Sequence, residues 1–135
     1  MPFARISLAR GKSRDYLRAI SDQLHAALVE SFDVPPNDRF QVIHQHDQDD
    51  IIFDPHYMDM DRSADLVYIA LTTGKPRSTE TKKRFFQTLA RRLEANPGIR
   101  PDDIMVIIST SQRDEWSFGK GLAQMLEGAT EEDIS

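Results

Sequence analysis

The apolar residues change their spacing in a regular way along the chain. Phe3-Ala4-Arg5-Ile6-Ser7-Leu8 reads as a strand. Leu17, Ile20, Leu24, Leu28 and Phe32 then recur at steps of three and four, which lays one apolar stripe along a helix. Arg14, Arg18, Asp22 and Glu30 fall on its other faces. Ser13, at the end of the turn Arg10-Gly11-Lys12-Ser13, is suited to cap that helix by accepting from a free N–H of its first turn. Val34-Pro35-Pro36-Asn37-Asp38 stops it, because proline donates no N–H and disfavours helix in the residue before it. Arg39 to His44 reads as a second strand, followed by a polar stretch from Gln45 to Asp50. Ile51-Ile52-Phe53 is a candidate short strand, and Asp54 to Ser63 a loop.

The first pattern then returns. Leu66 to Leu71 is a strand, Gly74-Lys75-Pro76-Arg77-Ser78 a turn ending in a second cap, and Phe85 or Phe86 with Leu89 and Leu93 the stripe of a second helix. Asn96-Pro97-Gly98 ends it, and Ile99-Arg100-Pro101-Asp102-Asp103 leads into a strand from Ile104 to Ile108. Gly74-Lys75 lies 63 residues after Gly11-Lys12, and Ile99 to Asp103 lies 65 residues after Val34 to Asp38. Two matching turns at nearly one offset indicate an internal βαβ repeat, residues 2–45 and 65–109, inside a single domain of residues 1–128 with an acidic tail at 129–135. Each unit is a right-handed crossover between parallel strands. Two units related by a pseudo-twofold give an α/β (α+β) fold: a four-stranded mixed sheet with two helices on one face. With the first strand of each unit innermost, Pro2 lies beside Thr73-Gly74-Lys75-Pro76-Arg77. Leu66–Leu71 and Ile104–Ile108 are apolar at consecutive positions, the mark of strands buried on both faces. Two helices cover only one face, so another subunit or the C-terminal segment must cover the other, and an obligate oligomer is expected.

Composition narrows the function. The 135 residues suffice for one domain with a core, and a net charge of -5 with 29% charged residues argues against a general nucleic-acid binder. The absence of cysteine excludes disulfides and thiol catalysis and fits a cytoplasmic protein. No apolar run approaches the ~20 residues of a membrane span, and Arg5 and Arg10 interrupt any signal-peptide pattern, so no membrane partner is expected.

Several groups carry candidate chemistry. A small residue at position two favours removal of the initiator methionine, which would leave Pro2 with a free secondary amine able to act as base, acid or nucleophile. Lys75 and Arg77 set two cations after a buried strand, which reads as a solvated turn or as a carboxylate site. Asp38 is a turn residue or partner of Arg39, or else a carboxylate that orients water near a cationic amine. Trp116 and Phe118, in Glu115-Trp116-Ser117-Phe118-Gly119-Lys120-Gly121, wall a small pocket or plug a subunit contact. His44, His46, Asp47, Asp49 and Asp50 lack a third ligand fixed by a helix or strand, so no metal is expected, and no cofactor motif is present.

Together, Met-Pro before a strand, the double βαβ repeat, Pro-x-x-Asp-Arg-Phe-Gln, Gln45-His46, Arg62-Ser63, the basic turn and Asp114-Glu115-Trp116-Ser117-Phe118-Gly119 resemble the tautomerase superfamily. Within it, the chain is most similar to malonate semialdehyde decarboxylase and its homologues, nearly throughout up to about Gly128. The resemblance implies the tautomerase/MIF-like fold, a homotrimer, and a small anionic carboxylate substrate. It assigns Pro2 as the catalytic proline, Asp38 as its assistant, Arg77 as a catalytic and carboxylate-binding arginine, and Trp116 and Phe118 as pocket aromatics. Lys75 stands where the decarboxylase pattern resembles arginine; it keeps the charge and loses the planar fork. The expected activity is decarboxylation of a 3-oxo acid with a hydratase side activity. The alternatives are a proline-dependent tautomerase, hydratase or dehalogenase, and a non-catalytic trimer that serves interaction.

Overall fold

The computed structural model describes residues 1–126; the expected domain end at 128 and the acidic tail lie outside the described residues. In chain order the elements are β1 (Pro2–Ala9), α1 (Arg14–Phe32), β2 (Phe40–His46), β3 (Val67–Thr73), α2 (Thr79–Ala95) and β4 (Ile104–Thr110). They form one four-stranded sheet in the order β2-β1-β3-β4. The outer pairs are parallel, with Phe3 opposite Phe40 and Val67 opposite Ile104. The inner pair is antiparallel, with Pro2 opposite Thr73 and Leu8 opposite Val67. The first strand of each repeat is therefore innermost, and the start of β1 meets the end of β3.

The two helices begin alike. Ser13 (φ -68, ψ 160) accepts from the Tyr16 N–H, and Ser78 (φ -67, ψ 160) from that of Thr81, so each cap satisfies an otherwise free donor of the first turn. Helix α1 ends at Asp33 in the left-handed region, at φ 55, before the two prolines. Between helices and sheet, Ile6, Leu8, Val67, Ile69 and Leu71 pack on Leu17, Ile20, Leu24 and Leu28 of α1 and on Phe85, Leu89 and Leu93 of α2. Burying each such side chain contributes about 1.5–3 kcal/mol. Phe85, not Phe86, is the core aromatic, at 0% exposure against 40%.

Within the single chain the helices cover one face of β3 and β4, as expected for strands whose other face is left to a subunit or the C-terminal segment. Val67, Ile69 and Leu71 are buried, whereas Met105 and Ile107 on the other face are 46% and 60% exposed. With Phe40 and Val42 they lie on an outer face that also carries Arg5, Ser7 and His44. Ile51-Ile52-Phe53 is not a strand: the Ile51 N–H closes the 3-10 turn Gln48–Asp50 on the Gln48 carbonyl, and Ile52 is 87% exposed. The polar residues Gln45 and His46 instead extend β2, opposite Leu8 and Ala9.

Candidate active site

The register of β1 on β3 builds the site. Beyond the Pro2–Thr73 pair, the Gly74 N–H donates to the Met1 carbonyl at 3.2 Å, so the ladder runs one residue further and brings the chain start against the basic turn. Asp38 reaches the same point from the turn before β2. Its backbone N–H closes that turn on the Pro35 carbonyl at 2.9 Å, and its carboxylate lies 3.5 Å from the Met1 amine. Both groups are nearly enclosed, with side chains 11% and 10% exposed. Neither Asp38 oxygen has a well-formed hydrogen bond among the described residues. The alternative that Asp38 serves Arg39 is excluded: Arg39 pairs with Asp22 at 2.6 Å.

The charges around the amine act in opposite directions. Burial is the largest influence and lowers its pKa below the ordinary 8.0; the Asp38 carboxylate raises it, and Arg77 and then Lys75 lower it. This enclosed amine belongs to Met1. Removal of Met1 would move the free amine one residue along β1, about 3.8 Å in Cα spacing, to Pro2.

Arg77 is near in electrostatic terms but its head group is engaged. It donates to the Lys75 carbonyl at 2.8 Å and to the Phe32 carbonyl, at the end of α1, at 3.1 Å, with the guanidinium over the Phe32 ring. Desolvation lowers its pKa, with Asp33 opposing. Lys75 is exposed and lines an open cavity of about 720 Å³ with Gly74, Ser111, Gln112 and Arg113. Arg77 does not line it.

The aromatic pair closes the other side. Trp116 and Phe118 stack with centroids 5.7 Å apart and planes 14° apart, and Phe118 meets Phe40 at 5.8 Å. They pack with Met1 and the buried Met125. A Cβ on Gly74 would sit 2.9 Å from the Met125 methyl, 3.2 Å from the Trp116 indole nitrogen and 3.6 Å from the Met1 Cβ. Glycine here keeps space for the site. The Met1 side chain fills part of that space, 9% exposed.

The structure thus brings together the chain start, Asp38, Trp116 and Phe118, with Lys75 at the rim and Arg77 bound behind it. Sequence reasoning missed three supporting residues. Ser111 accepts from the Trp116 indole N–H at 2.6 Å and donates to the Thr73 carbonyl at 2.9 Å. Gln124 accepts from the Phe118 N–H and donates to the Gly119 carbonyl, both at 2.9 Å, which fixes the aromatic loop. Met125 roofs Gly74. All three act through contacts with no local signature in sequence. No group of three or more potential metal ligands converges among the described residues.

Comparison with known proteins identifies the family and the fold. Two family models, each described as tautomerase enzyme, match residues 38–119 and 2–60. The probable tautomerase YusQ of Bacillus subtilis (strain 168) is 37% identical over 127 residues, covering 94% of this chain and all of that protein. Malonate semialdehyde decarboxylase, whose structures are described as a basis for decarboxylase and hydratase activities, superposes with TM-score 0.88 at 32% identity, over 93% of this chain and 97% of that one. The FG41 malonate semialdehyde decarboxylase inhibited by 3-bromopropiolate gives 0.87 at 38% identity, over 93% and 95%. A fused 4-OT described as a symmetric trimer shares the fold alone, at TM-score 0.76 and 17% identity over 94% and 99%. The chain belongs to the tautomerase superfamily, among its malonate semialdehyde decarboxylase-like members.

Proposed function

We propose that the chain, once Met1 is removed, decarboxylates a small 3-oxo acid such as 3-oxopropanoate, with the Pro2 amine as its polarising group. The observation that carries this reading is the enclosed Met1 amine at the start of β1, 3.5 Å from a carboxylate that has no other partner among the described residues and within the field of two cations. Removal of Met1 would free both the proline nitrogen and the space the methionine fills against Met125, Trp116 and Phe118.

The chemistry follows from the parts. Loss of CO₂ breaks the bond between the carboxylate carbon and C2, and the electron pair must pass to the 3-carbonyl oxygen as an enolate. A cationic Pro2 stabilises that oxygen by donating a hydrogen bond, and C2 is then protonated to give acetaldehyde. Lys75 holds the substrate carboxylate at the cavity rim. Arg77 spends two of its five N–H donors on Lys75 and Phe32 and adds its charge from behind. Trp116 and Phe118 exclude water, which favours departure of neutral CO₂.

A hydratase reaction is the second reading, favoured by Asp38 oxygens that make no well-formed hydrogen bond among the described residues and so suit alignment of a water molecule. The exposed apolar side chains of Phe40, Val42, Met105 and Ile107 on the uncovered sheet face support a homotrimer, with the non-catalytic interaction trimer as the contrasting case. Among the described residues no helix is long and apolar enough to cross a membrane, which with the cysteine-free sequence supports a cytoplasmic enzyme.

The deciding experiment is intact-mass confirmation that Met1 is absent, followed by CO₂ release from 3-oxopropanoate by the wild type and Pro2→Ala. Turnover by the wild type and a loss of about 10²-fold or more in Pro2→Ala support the proposal. Equal rates sink it. Activity only on 2-oxo-3-pentynoate or phenylenolpyruvate transfers the assignment to hydratase or tautomerase.

A further inference from the structure

We infer that His25, a buried residue of α1 remote in sequence from the site, is the positioning residue that sets the aim of the Asp38 carboxylate by fixing the turn that carries it. The inference rests on the proposed role of Asp38 beside the amine. Residues 35–38 form a four-residue turn closed by the Asp38 N–H on the Pro35 carbonyl at 2.9 Å. The central peptide of that turn joins Pro36 to Asn37, and its carbonyl is Pro36 O. His25 is 7% exposed, and its Nε2 lies 2.8 Å from this oxygen. A carbonyl only accepts, so Nε2 carries the proton and donates. Nδ1 is buried and without a partner among the described residues, so the Pro36 carbonyl is the ring's one hydrogen-bond partner there.

That bond selects between two turns. Type I and type II differ by a flip of the central peptide, and type II requires positive φ at its third residue, here Asn37. Asn37 is not among the positive-φ residues, which agrees with type I. Asparagine tolerates the left-handed region better than most side chains, so the sequence alone does not forbid the flip. His25 forbids it by holding the carbonyl toward α1. A second anchor lies beyond Asp38: Arg39 pairs with Asp22 of α1, and Gln41 accepts from the Ser21 hydroxyl. Asp38 makes no well-formed side-chain hydrogen bond of its own among the described residues, so its direction is set by these flanking anchors.

The test uses Met1-free protein with isotopically labelled proline. It follows the Pro2 amine by NMR titration and kcat and KM with 3-oxopropanoate, in wild type, Asp38→Asn, His25→Leu and His25→Gln. Asp38, Arg77 and Lys75 are the charged groups that act on the Met1 amine, of which only Asp38 raises its pKa, and the same three are expected to act on the Pro2 amine one residue along β1. His25→Leu should move the Pro2 midpoint down by ~0.3 unit or more, in the direction of Asp38→Asn. It should lower kcat about tenfold and change KM less than about twofold. His25→Gln, whose amide nitrogen reaches the place of Nε2, should restore both within about twofold. Should His25→Leu fail to fold by circular dichroism, His25→Asn, whose shorter amide overlays Nδ1, replaces it with the same expectation. A folded, donor-less variant with wild-type titration and kcat overturns the inference, as does His25→Gln behaving like His25→Leu. The titration needs no turnover. An inactive wild type would therefore remove the decarboxylase reading, while the amine midpoints still decide the role of His25.

Discussion

Asp38 and Asp103 stand at equivalent places in the two repeats, 65 residues apart, each two residues or fewer before its outer strand. Their surroundings differ completely. Asp103 is 0% exposed, and its carboxylate accepts from the Ser63 N–H and hydroxyl, both at 2.7 Å, with Arg100 at 3.7 Å. The Asp38 side chain is 10% exposed and lies 3.5 Å from the Met1 amine, and among the described residues its oxygens form no well-made hydrogen bond. The neighbouring turns repeat the contrast. Gly11 has φ +115 and open space around its Cα, so its backbone conformation requires glycine. Gly74 has no such φ and is needed for room beside Met125 and Trp116. Lys12 is paired with Asp65, while Lys75 lines the cavity. Each repeat closes one of its turns with internal partners, at Lys12 in the first and Asp103 in the second, and leaves the other, at Asp38 and at Lys75, toward the chain start.

The sharpest way to break this comparison is to neutralise each aspartate in turn. Asp38→Asn should lower kcat/KM for 3-oxopropanoate by about 10²-fold and leave the melting temperature nearly unchanged, because that carboxylate holds no structure together. Asp103→Asn should do the reverse. It strips charge from a fully bonded buried group, at a cost of about 2–4 kcal/mol, and so lowers the melting temperature by roughly 10 °C. Specific activity of its folded fraction should stay near wild type. A stability loss in Asp38→Asn as large as in Asp103→Asn would show that both turns are structural.

The glycines give a smaller effect of the same form. Gly74→Ala drives a Cβ against Met125 and Trp116, so kcat/KM should fall about tenfold. Gly11→Ala meets no atom but strains the backbone, and should cost about 1–2 kcal/mol with activity intact. Smaller again are the lysines. Lys75→Met should raise KM for a carboxylate about fivefold, whereas Lys12→Met should leave KM alone and destabilise by under about 1 kcal/mol, the scale of an exposed ion pair.

Much of the architecture was readable because its signals are local. Ser13 and Ser78 announce their helices, Pro35-Pro36 and Pro97-Gly98 end them, and the recurrence of these turns exposes the repeat and hence the meeting of Pro2 with Thr73. Ile51-Ile52-Phe53 misled because short apolar runs carry no period that separates a strand from a loop. The uninterrupted apolar run in β4 includes Met105 and Ile107, on the sheet face that the described residues of the single chain leave exposed. In the site, residue type and pattern marked Pro2, Asp38, Trp116 and Phe118 as candidates with their alternatives open, and only the family resemblance gave them roles. The hold of Phe32 O on Arg77, and the parts played by Ser111, Gln124 and His25, depend on contacts between distant segments.

The smallest effect tests the two aspartates through stability alone, in protein that retains Met1. Folding lowers the pKa of the Met1 amine below its ordinary 8.0, chiefly through burial. Between the lowered value and 8.0 the unfolded chain therefore binds more protons than the native one, so stability rises with pH across that window. Below the window the penalty of burying the cation is fully present; above 8.0 it is absent. Asp38 offsets part of the burial effect, so Asp38→Asn should depress the amine further and widen the rise toward lower pH. Asp103 is not among the groups that act on the amine, so Asp103→Asn should lower the whole curve without moving this window. Urea unfolding at a series of pH values around and below 8 measures both. An identical pH slope in wild type and Asp38→Asn would mean that the carboxylate does not sense the amine, and the contrast between the two turns would lose its electrostatic basis.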